Sequence, residues 1–538
     1  MNAPGIPSAS SSAGEPPVVL QRRLLAALRS AGGRLKVADT LGTRLTGRQL
    51  LTRILAARKV LDAVLDPDER MVGVMLPSCA AGVVVNAALA LSGRVSVNLN
   101  YTTSQSVLDL CIERARLRRV ISSPAFLARV RLKLDDRLLD ARSLKDRLRF
   151  SWKIAAFFEA NILPLAMLER RLGLLRIKPD DPLTVIFTSG STGDPKGVVL
   201  TVENVGSNVR AIDSLVHLSA ADVALGVLPF FHSYGYTATL WTPLTLEPAC
   251  VYHTNPLDAQ AVGKLARDHH ATILMATPTF LRCYVRRTPP EDLSTLEVVF
   301  AAAEKLPRDV SDAFERRFGV RPCEAYGATE LAPLVAANVP PSRHVPGRPV
   351  DAREGTVGRP IPGCRARITA RDDGRELSVG EEGMLWISGP NVMQGYLDRP
   401  DLTADVIHDG WYRTGDIARI DTDGFITITG RQSRFSKIGG EMVPHVPVEE
   451  AVNEILRGPG SREASSDNTA STDADGELLA VVCSLPDPRK GERLVVLHLP
   501  TRLEPHDGCR QLATRGLPHL WLPSPESGSG VPTVPVLG

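Results

Sequence analysis

The chain has 538 residues, 43% hydrophobic and 23% charged, with a formal net charge of +3. That length allows more than one domain, and the composition is that of a folded globular protein rather than a fibrous or disordered one. So weak a net charge gives no global field to attract nucleic acid, and eight scattered cysteines without a CxxC pair indicate neither a zinc site nor a disulfide framework.

The opening MNAPGIPSASSSAGEPP lacks the basic and apolar regions of a signal peptide. Its Pro, Ser, Gly and Ala content predicts a disordered lead over 1–17. Scattered cysteines in so long a chain fit a reducing compartment, so the expected location is cytoplasmic. From Val18 to about Val97, helical patterns alternate with short strands such as MVGVML (71–76) and VSVNLN (95–100), and RVISS (119–123) continues the series. Such alternation predicts a parallel sheet with helices on its faces. The most apolar run, Met71 to Val97, is interrupted by Pro77, Ser78, Cys79, Asn86, Ser92 and Arg94, so it reads as a buried helix rather than a membrane span.

Residues 112–155 carry 13 Lys or Arg against five Asp or Glu. The next stretch, FSWKIAAFFEANILPLAMLERRLGLLRIK (150–178), has a large apolar face between basic flanks. It reads either as an amphipathic helix covering the protein body, or as a segment for an anionic membrane surface or an acidic partner. In the membrane reading the chain is peripheral on the inner face. The βα alternation resumes over 181–345, in TVIFTS, VALGVLPF, ACVYH, ATILMATP and LEVVFAAAE. After Pro340, GTVGRPIPGCRARI, GMLWISG and DGFITITG are short strands cut by Gly, Pro and Asp, which predicts a small barrel or distorted sheet. Beyond GRQSRFSKIGG (430–440), PVEEAVNEIL (447–456) predicts a helix, 458–477 a mobile Ser/Asp/Gly-rich stretch, and LLAVVCSLP (478–486) a strand. The expected fold is therefore α/β. A large N-terminal domain of βα layers with a small β-barrel-like subdomain (18–430) carries a small α+β C-terminal domain (431–538) on a hinge near 431–434.

Residues 184–201 read TVIFTSGSTGDPKGVVLT. Gly190 and Gly193 let backbone N–H groups turn toward an anion, Thr188, Ser189, Ser191 and Thr192 add hydroxyl donors, and Lys196 adds positive charge. This is the logic of a phosphate cradle, though not of the GxxxxGK[ST] loop, which needs Gly at Pro195 and Ser or Thr at Gly197. A polar turn is the competing reading.

The stretch resembles the signature of the AMP-forming adenylating superfamily, which includes acyl-CoA synthetases, luciferases and peptide-synthetase adenylation domains. Further motifs follow in that family's order. Phe231-His232-Ser233-Tyr234-Gly235 resembles its acyl-pocket motif, Ala301-Ala302-Ala303-Glu304 its adenine wall, and Tyr326-Gly327-Ala328-Thr329-Glu330 its YGxTE motif. Tyr412-Arg413-Thr414-Gly415-Asp416 resembles its YRTGD motif. Gly430-Arg431 and Lys437-Ile438-Gly439-Gly440-Glu441 resemble its hinge and thioesterification region. The likeness runs from about Val18 to Gly538. Through NLNYTTSQSVLDLCIERARLRRVISSPAFL (98–127) it is nearest the long-chain fatty acid:acyl-carrier-protein ligases, the synthetase half of their acyltransferase fusions.

The resemblance implies ATP-dependent activation of a long-chain fatty acid to acyl-AMP, then transfer to the pantetheine thiol of acyl carrier protein or CoA. It implies that 188–197 hold the β- and γ-phosphates with Lys196, that Ala303, Glu304, Tyr326 and Gly327 flank adenine, and that Thr329 meets the α-phosphate. Glu330 would bind Mg²⁺, Asp416 and Arg431 the ribose, His232 would lie near the carboxylate, and Lys437 would serve the thiol step. Against a solvated charge surface stands the reading that the basic stretch 112–155 faces an acidic carrier. The family's C-terminal lysine, which follows a PVLG segment in this branch, is missing: Pro535-Val536-Leu537-Gly538 ends the chain. The expectation is a C-terminal domain truncated at its end, with a catalytically weak or dead ATP- or acyl-adenylate-binding homologue as the alternative.

Overall fold

The computed structural model describes residues 19–189, 195–344, 351–438, 441–457, 479–487, 491–498 and 505–515. The expected disordered lead, the loop residues Gly190, Ser191, Thr192 and Gly193, the 458–477 stretch and the final TVPVLG lie outside these residues. Two compact units are present: Met1–Thr414 with Arg419–Thr427, and Gly415–Ala418 with Ile428–Gly538.

The first unit is built on two large mixed sheets whose central strands are parallel, as the βα alternation predicts. In the seven-stranded sheet the order is Gly395–Tyr396, Pro195–Thr201, Pro182–Ser189, Val95–Asn98, Met71–Val74, Val120–Ser122, Leu138–Asp140. The run Met71 to Val97 is a β-α-β unit whose helix, Ala80–Leu91, is buried on nearly every side. The nine-stranded sheet places Cys323–Gly327, Val298–Ala301, Ile273–Ala276, Val223–Gly226 and Ala249–Tyr252 side by side and parallel. Antiparallel strands finish both ends, Leu334–Ala337 beyond Cys323–Gly327 and Arg44–Thr46 beyond Leu35–Asp39.

The expected barrel-like subdomain is a five-stranded open sheet instead, ordered Arg365–Thr369, Gly383–Ser388, Trp411–Ile420, Ile407–His408, with Ile426–Arg431 pairing Trp411–Ile420 off that path. Ile407–His408 pairs over only two residues, and the outer side of Arg365–Thr369 carries a single isolated bridge, Thr369 to Glu376. Neither edge has the length to curl round and meet the other, so no closed barrel forms among the described residues.

Segment 150–178 forms two helices, Phe150–Asn161 and Leu165–Arg171, and a short turn, Leu174–Arg176. The face turned to the protein is the small one, Ala156, Glu159 and Ala160, not the apolar one. Among the described residues no helix is long and apolar enough to cross a membrane.

Helix Val202–Val216 follows the hairpin of the signature. Thr201 and Asn204 begin it with a reciprocal capping box. Its inward amides then reach far along the chain. Asn204 Nδ2 donates to the carbonyls of Pro390 and Val392, each at 2.8 Å. Asn208 Nδ2 donates to those of Leu331 (3.2 Å) and Leu334 (3.4 Å), while its Oδ1 accepts from the Leu334 N–H at 2.7 Å. Asn391 Nδ2 donates to the same two carbonyls, both at 3.1 Å. Asn208, Asn391 and Leu331 are fully buried, so the bonds to the Leu331 carbonyl satisfy a backbone group shielded from water.

The second unit is a four-stranded antiparallel sheet, ordered Glu441–Pro444, Phe435–Ile438, Gly491–His498, Ala480–Asp487, with helices His445–Arg457 and Pro505–Ala513. Val443, Val448, Val452, Val482 and Leu494 are among its core residues. The predicted helix 447–456 and strand 478–486 fall within or beside observed elements, as local periodicity allows.

Asn208→Ala orphans the Leu334 N–H and takes one of two amide donors from the Leu331 and Leu334 carbonyls, and is expected to cost about 1–3 kcal/mol in denaturant unfolding. Glu324, on the strand beside Val298–Ala301, has its carboxyl pushed up to about 7, chiefly by burial. Its unfolded form ionises in the ordinary carboxylate range, so in between the folded state holds a proton the unfolded state has lost, and stability falls as pH rises through that window. Glu324→Gln is expected to stabilise more at about pH 8 than at about pH 5, read from unfolding midpoints at the two values.

Candidate active site

Strands Pro182–Ser189 and Pro195–Thr201 form an antiparallel hairpin in which Thr188 pairs with Lys196 and Ser189 with Pro195. Thr188 and Lys196 therefore stand at the hairpin's turn end, on either side of the connection 190–194. The short strand Gly395–Tyr396 adds to the same hairpin, with Tyr396 opposite Val198. That pairing puts the Lys196 ammonium over the Tyr396 ring, 5.3 Å from its centroid, a cation–π geometry. On its other side the Tyr396 hydroxyl donates to Glu330 Oε1 at 2.8 Å. The Glu330 carbonyl accepts from the Met393 N–H at 2.8 Å, so both ends of Glu330 are fixed by the 393–396 segment. Tyr412 packs and hydrogen-bonds against Tyr396, and burial drives both phenols well above their ordinary range.

Thr329 precedes Glu330 on a tight turn, Thr329–Leu331, held from below by Asn208 and Asn391. The Ser233 hydroxyl meets the Thr329 hydroxyl at 3.4 Å. Next to Ser233 stands His232, whose ring lies 4.5 Å from that of Phe231. The His232 imidazole reaches solvent but is hemmed in by protein, and this desolvation lowers its pKa, leaving it neutral at physiological pH. Tyr101 packs edge-on against Phe231 at 4.7 Å and against Phe126 at 5.1 Å. After His232 the chain enters a buried π-helix, Gly235–Trp241. Thr237 of that helix donates to the Ala332 carbonyl at 2.7 Å, tying it to the Thr329 turn.

Two glycines are fixed by space. A Cβ on Gly327 would lie 2.2 Å from the Pro333 carbonyl oxygen, and one on Gly235 would lie 2.1 Å from that of Pro229. Tyr326 and Gly327 end a parallel strand, and Ala303 and Glu304 follow the neighbouring one, at the carboxyl edge where open α/β sheets hold ligands. Ala303 takes a positive φ of 72°. Glu304 accepts from both the N–H and the hydroxyl of Thr279 (3.2 and 2.7 Å).

In the second unit, Asp416 and Arg431 meet as an ion pair at 3.3 Å, with Asp416 largely buried and Arg431 exposed. Lys437 lies on strand Phe435–Ile438, opposite Met442.

The first unit thus joins Lys196, Glu330, Thr329 and His232 through three contacts and two chain-neighbour steps, although they come from three separate motifs. The sequence reasoning missed Tyr396 and did not single out Ser233 or Asn208. Tyr396 carries no local signal beyond a Gly-Tyr pair after an apolar strand. Ser233 lay inside a quoted motif.

Glu330 offers one hard carboxylate with a neighbouring hydroxyl at Thr329, and no group of three or more His, Cys, Asp or Glu side chains gathers among the described residues. That sparse oxygen set fits Mg²⁺, which protein commonly holds through one or two carboxylates while waters and substrate phosphates complete the shell.

Residues 26–397 match the family described as AMP-binding enzyme. The chain is 29% identical to a sulfoacetate–CoA ligase of Cupriavidus necator over 452 residues, 84% of this chain and 79% of the relative. It is also 29% identical to a long-chain-fatty-acid–CoA ligase of Bacillus subtilis over 442 residues, 77% of each. The fold resembles the o-succinylbenzoate CoA synthetase of Bacillus subtilis in complex with its acyl-adenylate, with a TM-score of 0.72 and 20% identity over 95% of this chain and 94% of that one. ATP-bound MatB of Rhodopseudomonas palustris superposes with a TM-score of 0.70 at 23% identity, covering 94% of each chain. With the match spanning well over half its length, and with Lys196, His232, Thr329, Glu330 and Tyr396 all inside it, the chain belongs to the AMP-binding enzyme family.

Proposed function

We propose that this protein activates a long-chain fatty acid with ATP, releases pyrophosphate to give acyl-AMP, and passes the acyl group to the pantetheine thiol of CoA or an acyl carrier protein. The observation that carries the reading is the run from Lys196 to Tyr396 to Glu330, and from its chain neighbour Thr329 to Ser233, beside which His232 follows. It gathers a cation, a carboxylate, hydroxyl donors and a neutral imidazole at one place, which is what phosphate binding beside a carboxylate requires. The aromatic residues beside His232 favour an apolar acyl chain over a charged acid. The thiol step and the fatty acid find support in the CoA-ligase relatives, one of them named for long-chain fatty acids.

In this reading the carboxylate oxygen attacks the α-phosphorus and pyrophosphate leaves, so the protein's task is positioning and charge stabilisation. Lys196, with Thr188, Ser189, Gly190, Ser191, Thr192 and Gly193, holds the β- and γ-phosphates. Thr329 donates to the α-phosphate, and Glu330 holds Mg²⁺. When bound, that ion neutralises phosphate charge and orients the leaving group. Tyr396 keeps the Glu330 carboxylate turned toward its ligand. Tyr326, Gly327, Ala303 and Glu304 flank adenine, while Asp416 and Arg431 take the ribose. His232 is neutral, so it directs the carboxylate by hydrogen bonding rather than by charge. Thiol transfer uses Lys437, with 431–434 as the hinge between the two steps.

Pyrophosphate release from ATP, Mg²⁺ and a long-chain fatty acid tests the reading, with CoA and acyl carrier protein offered separately as acceptors. Acid-dependent release with thioester formed on one acceptor is expected, and no release with any acid would sink the proposal. Glu330→Gln is expected to lower kcat by about 10²-fold or more. Tyr396→Phe keeps the ring under Lys196 but drops the bond to Glu330. It is expected to raise the Mg²⁺ concentration for half-maximal rate about tenfold, with a smaller effect at saturating Mg²⁺.

A further inference from the structure

Helix Phe150–Asn161 wears its amphipathic pattern inside out. Phe150, Ile154, Phe157, Phe158 and the following Ile162 recur at spacings that share one helical face. That face points to solvent: these side chains are 47 to 76% exposed. Met167 and Leu175 extend the patch at 57 and 55%. Most of the large exposed apolar side chains among the described residues lie in this one segment, far more than an ordinary soluble surface collects in one place.

The charges are sorted in the opposite sense. Segment 150–178 holds two acidic residues, Glu159 and Glu169, and both are buried against the protein. Glu159 pairs with Lys59 (2.9 Å) and Arg171 (3.0 Å), and Glu169 with Arg22 (3.0 Å). Arg29 adds bonds to the carbonyls of Ala160 (3.1 Å) and Glu159 (2.7 Å). These inward ties hold the helix in its orientation, so the apolar face cannot roll onto the core. Outward, Lys153, Arg170, Arg176 and Lys178 are exposed around the apolar patch with no acidic side chain of the segment among them.

From this sorting we infer that residues 150–178 dock the protein on the surface of a lipid bilayer bearing anionic headgroups. The apolar side chains enter the headgroup–acyl boundary and the cations face the lipid phosphates. Aromatic and aliphatic bulk beside exposed cations, with the segment's own anions turned inward, is the chemistry of an interfacial helix. An acidic protein partner would meet the cations but not the Phe and Ile side chains that dominate the face. The inference is independent of the proposed reaction.

The test is flotation of the full chain with phosphatidylcholine vesicles, with and without phosphatidylglycerol. The expected result is co-flotation with the anionic vesicles, weakened by salt, and a loss of about tenfold or more in the triple variant Ile154→Ser, Phe157→Ser, Phe158→Ser. All three side chains are exposed, so the fold is retained. Hydrogen exchange on the unaltered chain gives a second readout, in which anionic vesicles protect 150–162 above the rest of the surface. The inference is overturned by three results: no flotation with either vesicle, flotation unchanged in the triple variant, or protection of 150–162 by acyl carrier protein but not by vesicles.

Discussion

Carbonyls at Leu331 and Leu334 must find donors, and two asparagine amides far apart in the sequence, Asn208 and Asn391, supply them. In a dry interior an unpaired carbonyl costs as much as several good contacts gain, so this junction admits little drift. The turn bearing Thr329 and Glu330 sits directly on it. Helix Val202–Val216 sits beside it and begins where the hairpin Pro182–Thr201 ends, while the 390–392 loop leads into Tyr396. One satisfied cluster therefore sets the mutual position of three segments that carry the candidate chemistry. Asn204 strengthens the link, because the amide that caps the helix also grips the Pro390 and Val392 carbonyls.

The site inherits its rigidity from this arrangement. Glu330 is fixed at its carbonyl by Met393 and at its carboxylate by Tyr396. A lone carboxylate on a mobile turn would spread over many orientations, and each would weaken a metal–phosphate geometry. Tyr396 is itself confined by strand pairing, by Tyr412 and by the Lys196 ammonium above its ring. A residue outside the quoted motifs can in this way decide where the Lys196 ammonium and the Glu330 carboxylate stand.

Much of the candidate site was nameable from the sequence because its residues are grouped in local motifs. Two apolar runs on either side of a glycine- and hydroxyl-rich stretch specify the paired strands Pro182–Ser189 and Pro195–Thr201. The YGATE stretch needs Gly at 327, where the backbone of Pro333 leaves no room for a Cβ. The βα alternation was equally readable, since each strand and helix is set by its own periodicity. The barrel-like expectation erred because short strands show that a sheet forms but not how its edges meet. Tyr396 escaped because its importance lies in a pairing with a strand almost two hundred positions earlier.

Segment 150–178 marks the boundary most clearly. Its sequence determined that a helix with an apolar stripe would form, because spacing alone creates a face. Sequence left open which way that face would turn. Tertiary structure decided it, by burying Glu159 and Glu169 against Lys59, Arg171 and Arg22 and leaving Phe150, Ile154, Phe157 and Phe158 outside. The physical reason is general: periodicity is a property of one element, whereas orientation depends on which distant charges that element must satisfy once the chain has folded.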